Sequence, residues 1–134
     1  MRLLLDTHTF LWFIGGNPSL SAYAQQLIED TGNERVLSIA SLWEMSIKAS
    51  IGKLRLNITF QEMVRDHING NAMNLLSISP EHLDILRSLA FHHKDPFDRL
   101  IIAQSQSENI PVLSRDEVFD DYAGIQRIWS MQNL

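Results

Sequence analysis

Short apolar runs alternate along the chain with longer segments in which apolar residues recur every three or four positions. The short runs are continuously apolar, which is typical of strands buried on both faces. We predict strands at residues 3–5, 35–39, 75–78, 110–114 and 125–129. We predict helices at residues 8–14, from Ser19 or Ser21 to Thr31, at 41–51, 80–90 and 96–108, and one beginning at Thr59. Strands that alternate with helices predict an α/β fold, with a mostly parallel five-stranded sheet between two helical layers.

The 134 residues contain no repeat, linker or low-complexity stretch, so we predict a single domain over residues 1–134. The apolar run before Asp6 is too short for a signal peptide, and no run approaches the ~20 apolar residues of a membrane span. We therefore expect a cytoplasmic protein without membrane contact. The chain has no cysteine, which excludes disulfides, thiolate zinc sites and cysteine nucleophiles.

Two carboxylates follow predicted strands. Asp6 ends the first strand and Asp116 lies just past the fourth, so both belong on the rim where ligands bind in parallel sheets. If these strands are neighbours, the two acids repel unless a cation lies between them or one is protonated. Carboxylate oxygens suit Mg²⁺ or Mn²⁺. The alternatives are an N-cap role for Asp6 and a turn role for Asp116.

Two further acids lie in apolar helices. Glu44 follows a mainly apolar stretch, and its alternative role is an i,i+4 salt bridge with Lys48. Asp98 is the third residue of a helix that Asp95 is placed to cap, where an acid also favours the helix dipole. Capping explains Asp95 fully and Asp98 only in part. Because this helix is apolar on nearly every face, we expect it to be buried with Asp98 near Asp6.

Other residue types give weaker indications. None of the five histidines has zinc-motif spacing, and His92-His93-Lys94 is interpreted as a polar loop. There is no Gly-rich phosphate loop or nucleophile elbow. We expect the aromatic residues Trp12, Phe13 and Trp43 to lie in the core instead of stacking on bases. A local basic rim, with scattered solvated charges as the alternative, could include Lys48, Lys53, Arg55, Arg99 and Arg115.

Four sequence motifs resemble those of a known family. They are Leu4-Leu5-Asp6-Thr7-His8, Ser38-Ile39-Ala40-Ser41-Leu42-Trp43-Glu44, Asp95-Pro96-Phe97-Asp98-Arg99-Leu100-Ile101-Ile102-Ala103-Gln104 and Val112-Leu113-Ser114-Arg115-Asp116. In this order, and over nearly the whole chain, they resemble the PIN domain. The resemblance is closest to the VapC-like toxin ribonucleases of type II toxin–antitoxin pairs.

The resemblance implies a PIN-like fold and an endoribonuclease that uses Mg²⁺ or Mn²⁺ and leaves a 5′-phosphate and a 3′-hydroxyl. The catalytic and metal-binding residues it implies are Asp6, Glu44, Asp98 and Asp116. Ser114, Thr7 and Asp95 would not bind the metal themselves but would contact and orient the residues that do. The candidate RNA contacts are Lys48, Lys53, Arg99 and Arg115. No histidine base is required.

The resemblance also implies partners. They are an RNA substrate, a second copy in a homodimer, and a cognate antitoxin that inserts a segment into the active-site groove. DNA binding would belong to the antitoxin and not to this chain.

Two alternative functions remain open. The first is a haloacid-dehalogenase-like phosphohydrolase with Asp6 as nucleophile, because Asp6-Thr7-His8-Thr9 resembles that family's first motif. In this chain, however, His8 replaces the second acid of that motif. The second alternative is a PIN domain that has lost catalysis and serves only in interactions.

Taken alone, the formal net charge of −5 argues against nucleic-acid binding, because RNA binding depends on many contacts from Lys and Arg to phosphate. If four of the 16 acids belong to a metal cluster, 12 acids are left against 11 bases. The charge then predicts weak non-specific binding and selection of RNA by shape and a local basic rim.

Overall fold

The computed structural model describes residues 1–131. The five strands are β1 (Arg2–Leu5), β2 (Glu34–Ser38), β3 (Asn74–Leu76), β4 (Val112–Leu113) and β5 (Arg127–Ile128). They form one sheet in the order β3-β2-β1-β4-β5, and every neighbouring pair is parallel. The predicted five-stranded α/β fold is confirmed. The last two strands are shorter than predicted, since only two residues of each lie in the ladder.

Within the described residues 1–131, six α-helices lie between the strands. They are α1 (Thr7–Gly15), α2 (Ala22–Glu29), α3 (Ile39–Ser50), α4 (Phe60–Met63), α5 (Pro80–Arg87) and α6 (Pro96–Glu108). Thr59 caps α4 as predicted, but the chain then continues as π-helical turns over Val64–Asn69. The helix predicted to reach residue 90 ends at Arg87, and a loop leads from there to α6. That loop carries a residue of the site described below.

The sheet is buried on both faces, which explains why its strands are apolar without alternation. Leu3 and Leu5 point into a core with α1, α2, α3 and α4, whereas Leu4 points into a second core with α5 and α6. The architecture is therefore the predicted three-layer α/β/α arrangement. Among residues 1–131, no helix has both the length and the apolar character needed to cross a membrane.

The carboxyl ends of three adjacent parallel strands meet at one edge of the sheet. β1 lies between β2 and β4, so Asp6 and Ser114, which follow β1 and β4, lie beside Ser38, the last residue of β2. Ser38 caps α3, whose second turn carries Glu44. Asp95 caps α6, whose first turn carries Asp98. Helix capping and strand order together place the predicted acids at the carboxyl edge of the sheet.

Candidate metal centre

Asp6 is buried where β1 meets α1, and both of its carboxylate oxygens accept hydrogen bonds. Oδ1 accepts from the Thr9 backbone N–H at 2.8 Å, and Oδ2 accepts from the Ser114 hydroxyl at 2.5 Å. The capping alternative for Asp6 is therefore correct as a description of its local geometry. The Ser114 oxygen also accepts from the Asp116 backbone N–H at 3.0 Å. One hydroxyl thus links the acids that follow β1 and β4.

Asp98 and Asp116 converge on one imidazole. The Nε2 atom of His93 lies 2.9 Å from Asp116 Oδ2 and 3.2 Å from Asp98 Oδ2. One ligand atom from each of these three side chains lies within 4.8 Å of the other two. His93 lies in the predicted loop, but its side chain is positioned between two of the acids, so the interpretation of His92-His93-Lys94 as only a polar loop is wrong.

Glu44 is buried in α3 with one oxygen paired and one not. Its Oε2 accepts from Lys48 Nζ at 2.5 Å, so the i,i+4 salt bridge is present. Its Oε1 has no hydrogen-bond partner among the described residues. A buried carboxylate oxygen without a partner is costly, and a bound cation or water removes that cost. The salt bridge therefore does not account for the whole side chain.

The carboxylates of Asp6, Glu44 and Asp116 all lie near enough to Asp98 to act on its ionisation. Burial, followed by the charges of Asp6, Asp95, Glu44 and Asp116 in that order, raises the pKa of Asp98 to about 8. Burial also raises the pKa of Asp6, against the lowering effect of its hydrogen bonds with Ser114 and Thr9. The neighbouring carboxylates disfavour the ionised form of Asp98, so the site favours a bound positive charge.

The donor set fits a hard divalent cation. Asp6, Asp98 and Asp116 supply carboxylate oxygens, and Glu44 supplies the unpaired Oε1. Oxygen-rich sites of this kind suit Mg²⁺ and Mn²⁺. The hydrogen bond that Lys48 donates to Glu44 Oε2 raises the lysine pKa, so Lys48 stays charged and occupies Oε2 while Oε1 stays unpaired.

Asp95 and Thr7, which were predicted to orient the acids, hold the helices that carry them. Asp95 caps α6, with its Oδ1 accepting from the backbone N–H groups of Phe97 at 2.8 Å and Asp98 at 3.1 Å. Thr7 is buried and donates to the Ser41 hydroxyl at 2.9 Å, which joins α1 to the helix that carries Glu44. These contacts fix the elements that present Asp98 and Glu44.

The predicted basic rim is only partly present. Lys53 and Arg115 are exposed, whereas Lys48 is bound to Glu44. Arg99 is 6% exposed. Its guanidinium donates to the carbonyls of Leu89 at 3.1 Å and Ala90 at 2.8 Å, so the prediction that it contacts RNA is wrong. A cation in the first turn of a helix resembles a surface charge in sequence, but here it pins the loop that carries His93.

A cavity of about 340 Å³ opens beside the acids and is lined by Asp6, His8, Trp12, Arg115 and Asp116. The Arg115 guanidinium lies 4.9 Å from the Trp12 ring centroid. Trp12 and Phe13 pack partly against the core, as expected. Trp43 does not, because it is 53% exposed and touches only the edge of the Phe97 ring among the aromatic residues described.

Comparison with known proteins decides the family. The profile of the PIN domain family matches residues 3–125. The chain belongs to the PIN domain family. This membership removes the haloacid-dehalogenase-like alternative, and with it a covalent role for Asp6. No curated protein is significantly similar in sequence to this PIN domain.

Several solved structures share the PIN fold of this chain. VapBC2 from Rickettsia felis, bound to a DNA fragment from its promoter, is 15% identical with a TM-score of 0.70, over 97% of this chain and 100% of that one. FitAcB from Neisseria gonorrhoeae is 18% identical with a TM-score of 0.64, over 94% and 96%. DNA-bound VapBC from Salmonella typhimurium is 16% identical with a TM-score of 0.63, over 97% and 99%. At these identities the likeness establishes the fold.

Proposed function

We propose that this PIN domain, comprising the whole chain, is a Mg²⁺-dependent endoribonuclease, with Mn²⁺ as a competent substitute. The convergence of Asp6, Glu44, Asp98 and Asp116 at one edge of the sheet carries this proposal. The raised pKa of Asp98 reports that convergence, because burial and the other acids together cause it. Membership of the PIN domain family, a buried cluster of oxygen donors and an unpaired Glu44 oxygen all support this chemistry.

The proposed ligands are Asp6, Asp98 and Asp116, with Glu44 acting directly or through water. A bound divalent ion would supply a more acidic water and a counter-charge for the phosphate. Hydrolysis forms a bond from the water oxygen to phosphorus and breaks the bond from phosphorus to the 3′ oxygen. A water proton passes to a site carboxylate and the leaving 3′ oxygen gains a proton. The products carry a 5′-phosphate and a 3′-hydroxyl.

The protein's own contribution is orientation. The Thr9 N–H and the Ser114 hydroxyl hold both Asp6 oxygens, so this carboxylate presents its remaining lone pairs in a fixed direction. Glu44 is held through Oε2 by Lys48, which leaves Oε1 to accept from a water. Fixed donors and acceptors of this kind need little reorganisation during the reaction.

The cavity beside the acids is the proposed entry for RNA. Its wall carries Arg115, which directly precedes Asp116 and lies over the Trp12 ring. A guanidinium in this position suits a phosphate next to the scissile bond. Lys53 is a second candidate contact, whereas Lys48 is committed to Glu44.

We further propose that the chain is the toxin of a toxin–antitoxin pair, acting in the cytoplasm as a homodimer and neutralised by a cognate antitoxin. The structures that share its fold support this proposal, since they include VapBC and FitAcB. DNA binding is assigned to the antitoxin. Induction of the chain in a bacterial host should arrest growth, and co-expression of the product of the neighbouring reading frame should restore it. Normal growth on induction would contradict the toxin assignment.

The nuclease assignment is tested with purified protein and bulk cellular RNA. We expect cleavage in Mg²⁺, none in EDTA, and recovery when Mg²⁺ is restored. Asp6→Asn should abolish cleavage, whereas Asp84→Asn should not, because Asp84 is exposed and pairs only with Arg87 among the described residues. Cleavage that survives Asp6→Asn would contradict the mechanism. Antitoxin binding without cleavage by the wild type would favour the non-catalytic alternative.

A further inference from the structure

His93 occupies a position between two of the proposed ligands that its place in sequence does not suggest. It lies in the loop between α5 and α6, and its side chain is only 14% exposed. Nε2 faces the Oδ2 atoms of both Asp98 and Asp116, at 3.2 and 2.9 Å. Proximity alone allows two roles, because an imidazole nitrogen either coordinates a metal or donates a hydrogen bond to its ligands.

The other ring nitrogen separates these two roles. Nδ1 lies 3.2 Å from the Asp95 backbone nitrogen, whose N–H donates to it. A nitrogen that accepts this bond carries no hydrogen, so the hydrogen of the neutral ring is on Nε2. An Nε2 that carries a hydrogen has no lone pair for a metal, but it donates to a carboxylate. The hydrogen-bond pattern therefore assigns His93 as a donor.

The surroundings of His93 keep the ring in that orientation. Its backbone N–H donates to the Tyr122 hydroxyl at 2.8 Å, and that hydroxyl donates to the Ala90 carbonyl at 2.7 Å. The ring lies edge-on to Phe119, with centroids 6.1 Å apart. Asp95 both orients the imidazole and caps the helix that carries Asp98. The loop, the ring and the acid are thus held as one unit.

We propose that His93 is a positioning residue, whose Nε2–H holds the carboxylates of Asp98 and Asp116 side by side and does not itself coordinate the ion. When both carboxyls are ionised, as metal binding requires, they repel each other, and a shared donor between them offsets part of that repulsion. The pair is thereby arranged before a cation arrives. This inference rests on the proposed metal site.

The tautomer of His93 gives a direct test that needs no RNA. In protein labelled with ¹⁵N at histidine, long-range ¹H–¹⁵N correlation spectra distinguish an Nε2–H ring from an Nδ1–H ring. We expect the Nε2–H form without metal and the same form at saturating Mg²⁺. A change to the Nδ1–H form on addition of Mg²⁺ would show that Nε2 is a ligand and would overturn the proposal.

Calorimetric titration with Mg²⁺ supplies the second test. His93→Phe keeps a ring against Phe119 but removes both nitrogens, and we expect affinity to fall about 10- to 100-fold, as for other groups that orient metal ligands. His93→Gln can return an N–H near the position of Nε2 and should recover most of the affinity. His92→Phe is the matched control, because His92 is exposed and its described ring contact is with Tyr122.

The outcomes separate this inference from the proposed metal site. If the wild type binds Mg²⁺ and His93→Phe binds it equally well, the positioning role is wrong and the metal site stands. The same conclusion follows if His93→Gln is as weak as His93→Phe while both remain folded in thermal melts. If the wild type does not bind Mg²⁺, the metal site and the role of His93 both fail.

Discussion

Replacing Asp98 by asparagine should change how the stability of the metal-free protein depends on pH. The Asp98 carboxyl has a pKa of about 8 in the fold, against 3.8 as its ordinary value. Between these values the folded state holds a proton that the unfolded state has lost, so stability falls as pH rises. This contribution is fully present below about pH 4 and is lost as the pH passes through 8.

The size of the effect follows from the same numbers. Each pH unit between 5 and 8 costs about 1.4 kcal/mol per carboxyl that is protonated only in the fold. Over three units Asp98 therefore contributes a loss of about 4 kcal/mol, a large share of the stability of a typical domain. Asparagine keeps the shape of the protonated acid and cannot ionise. The difference in stability between Asp98→Asn and the wild type should thus shift in favour of the variant by about 4 kcal/mol between pH 5 and pH 8.

Urea unfolding followed by tryptophan fluorescence, in EDTA at pH 5, 6, 7 and 8, measures this difference. Asp84→Asn is the control and should follow the wild type, because its carboxyl is exposed. At pH 8, Mg²⁺ at 100 times its dissociation constant should raise the free energy of unfolding of the wild type by about 2.7 kcal/mol. The increase for Asp98→Asn should be much smaller. Parallel pH profiles for the wild type and Asp98→Asn would refute the view that Asp98 lies in a buried acidic cluster.

Three further substitutions separate structural from functional residues. Arg99→Ala should lower the free energy of unfolding by about 3 kcal/mol in urea titrations, because buried carbonyls lose their donor. The KM for RNA should not change. A raised KM without destabilisation would contradict this prediction. Ser114→Ala should lower the free energy of unfolding by about 1–3 kcal/mol in the same assay. It should also lower kcat, because the Asp6 carboxylate loses the hydroxyl that orients it. An unchanged kcat would contradict the orienting role of Ser114. Arg115→Ala should raise the RNA KM about 10-fold in steady-state cleavage with kcat nearly unchanged; a change in kcat alone would exclude a phosphate contact.

The fold and the meeting of Asp6 with Asp116 were predictable because they depend on local patterns. Continuous apolar runs identify buried parallel strands, and an acid directly after a strand must lie at the carboxyl edge. The prediction still required β1 and β4 to be neighbours, which the sheet order confirms. Capping residues such as Asp95 were also predictable, because their role is decided within one helical turn.

The positions of His93, Arg99 and Trp43 were not predictable in this way. His93 reaches the acids because the loop before α6 is held by Tyr122, which is distant in sequence, and by the guanidinium of Arg99, whose contacts with loop carbonyls no helix or strand pattern indicates. Arg99 is buried because the carbonyls of that loop converge on it. Trp43 lies in a helix that is apolar on several faces, so its periodicity did not show which face is exposed. The one local indication for His93 was its place two residues before the cap of an acidic helix.

The central claim is that the four acids at the carboxyl edge hold a divalent cation. The most direct measurement is anomalous scattering from crystals of the wild-type protein grown with Mn²⁺. The account predicts a peak in contact with carboxylate oxygens of Asp6, Asp98 or Asp116, and near Glu44 Oε1. Saturating Mn²⁺ with no peak among these carboxylates would contradict it.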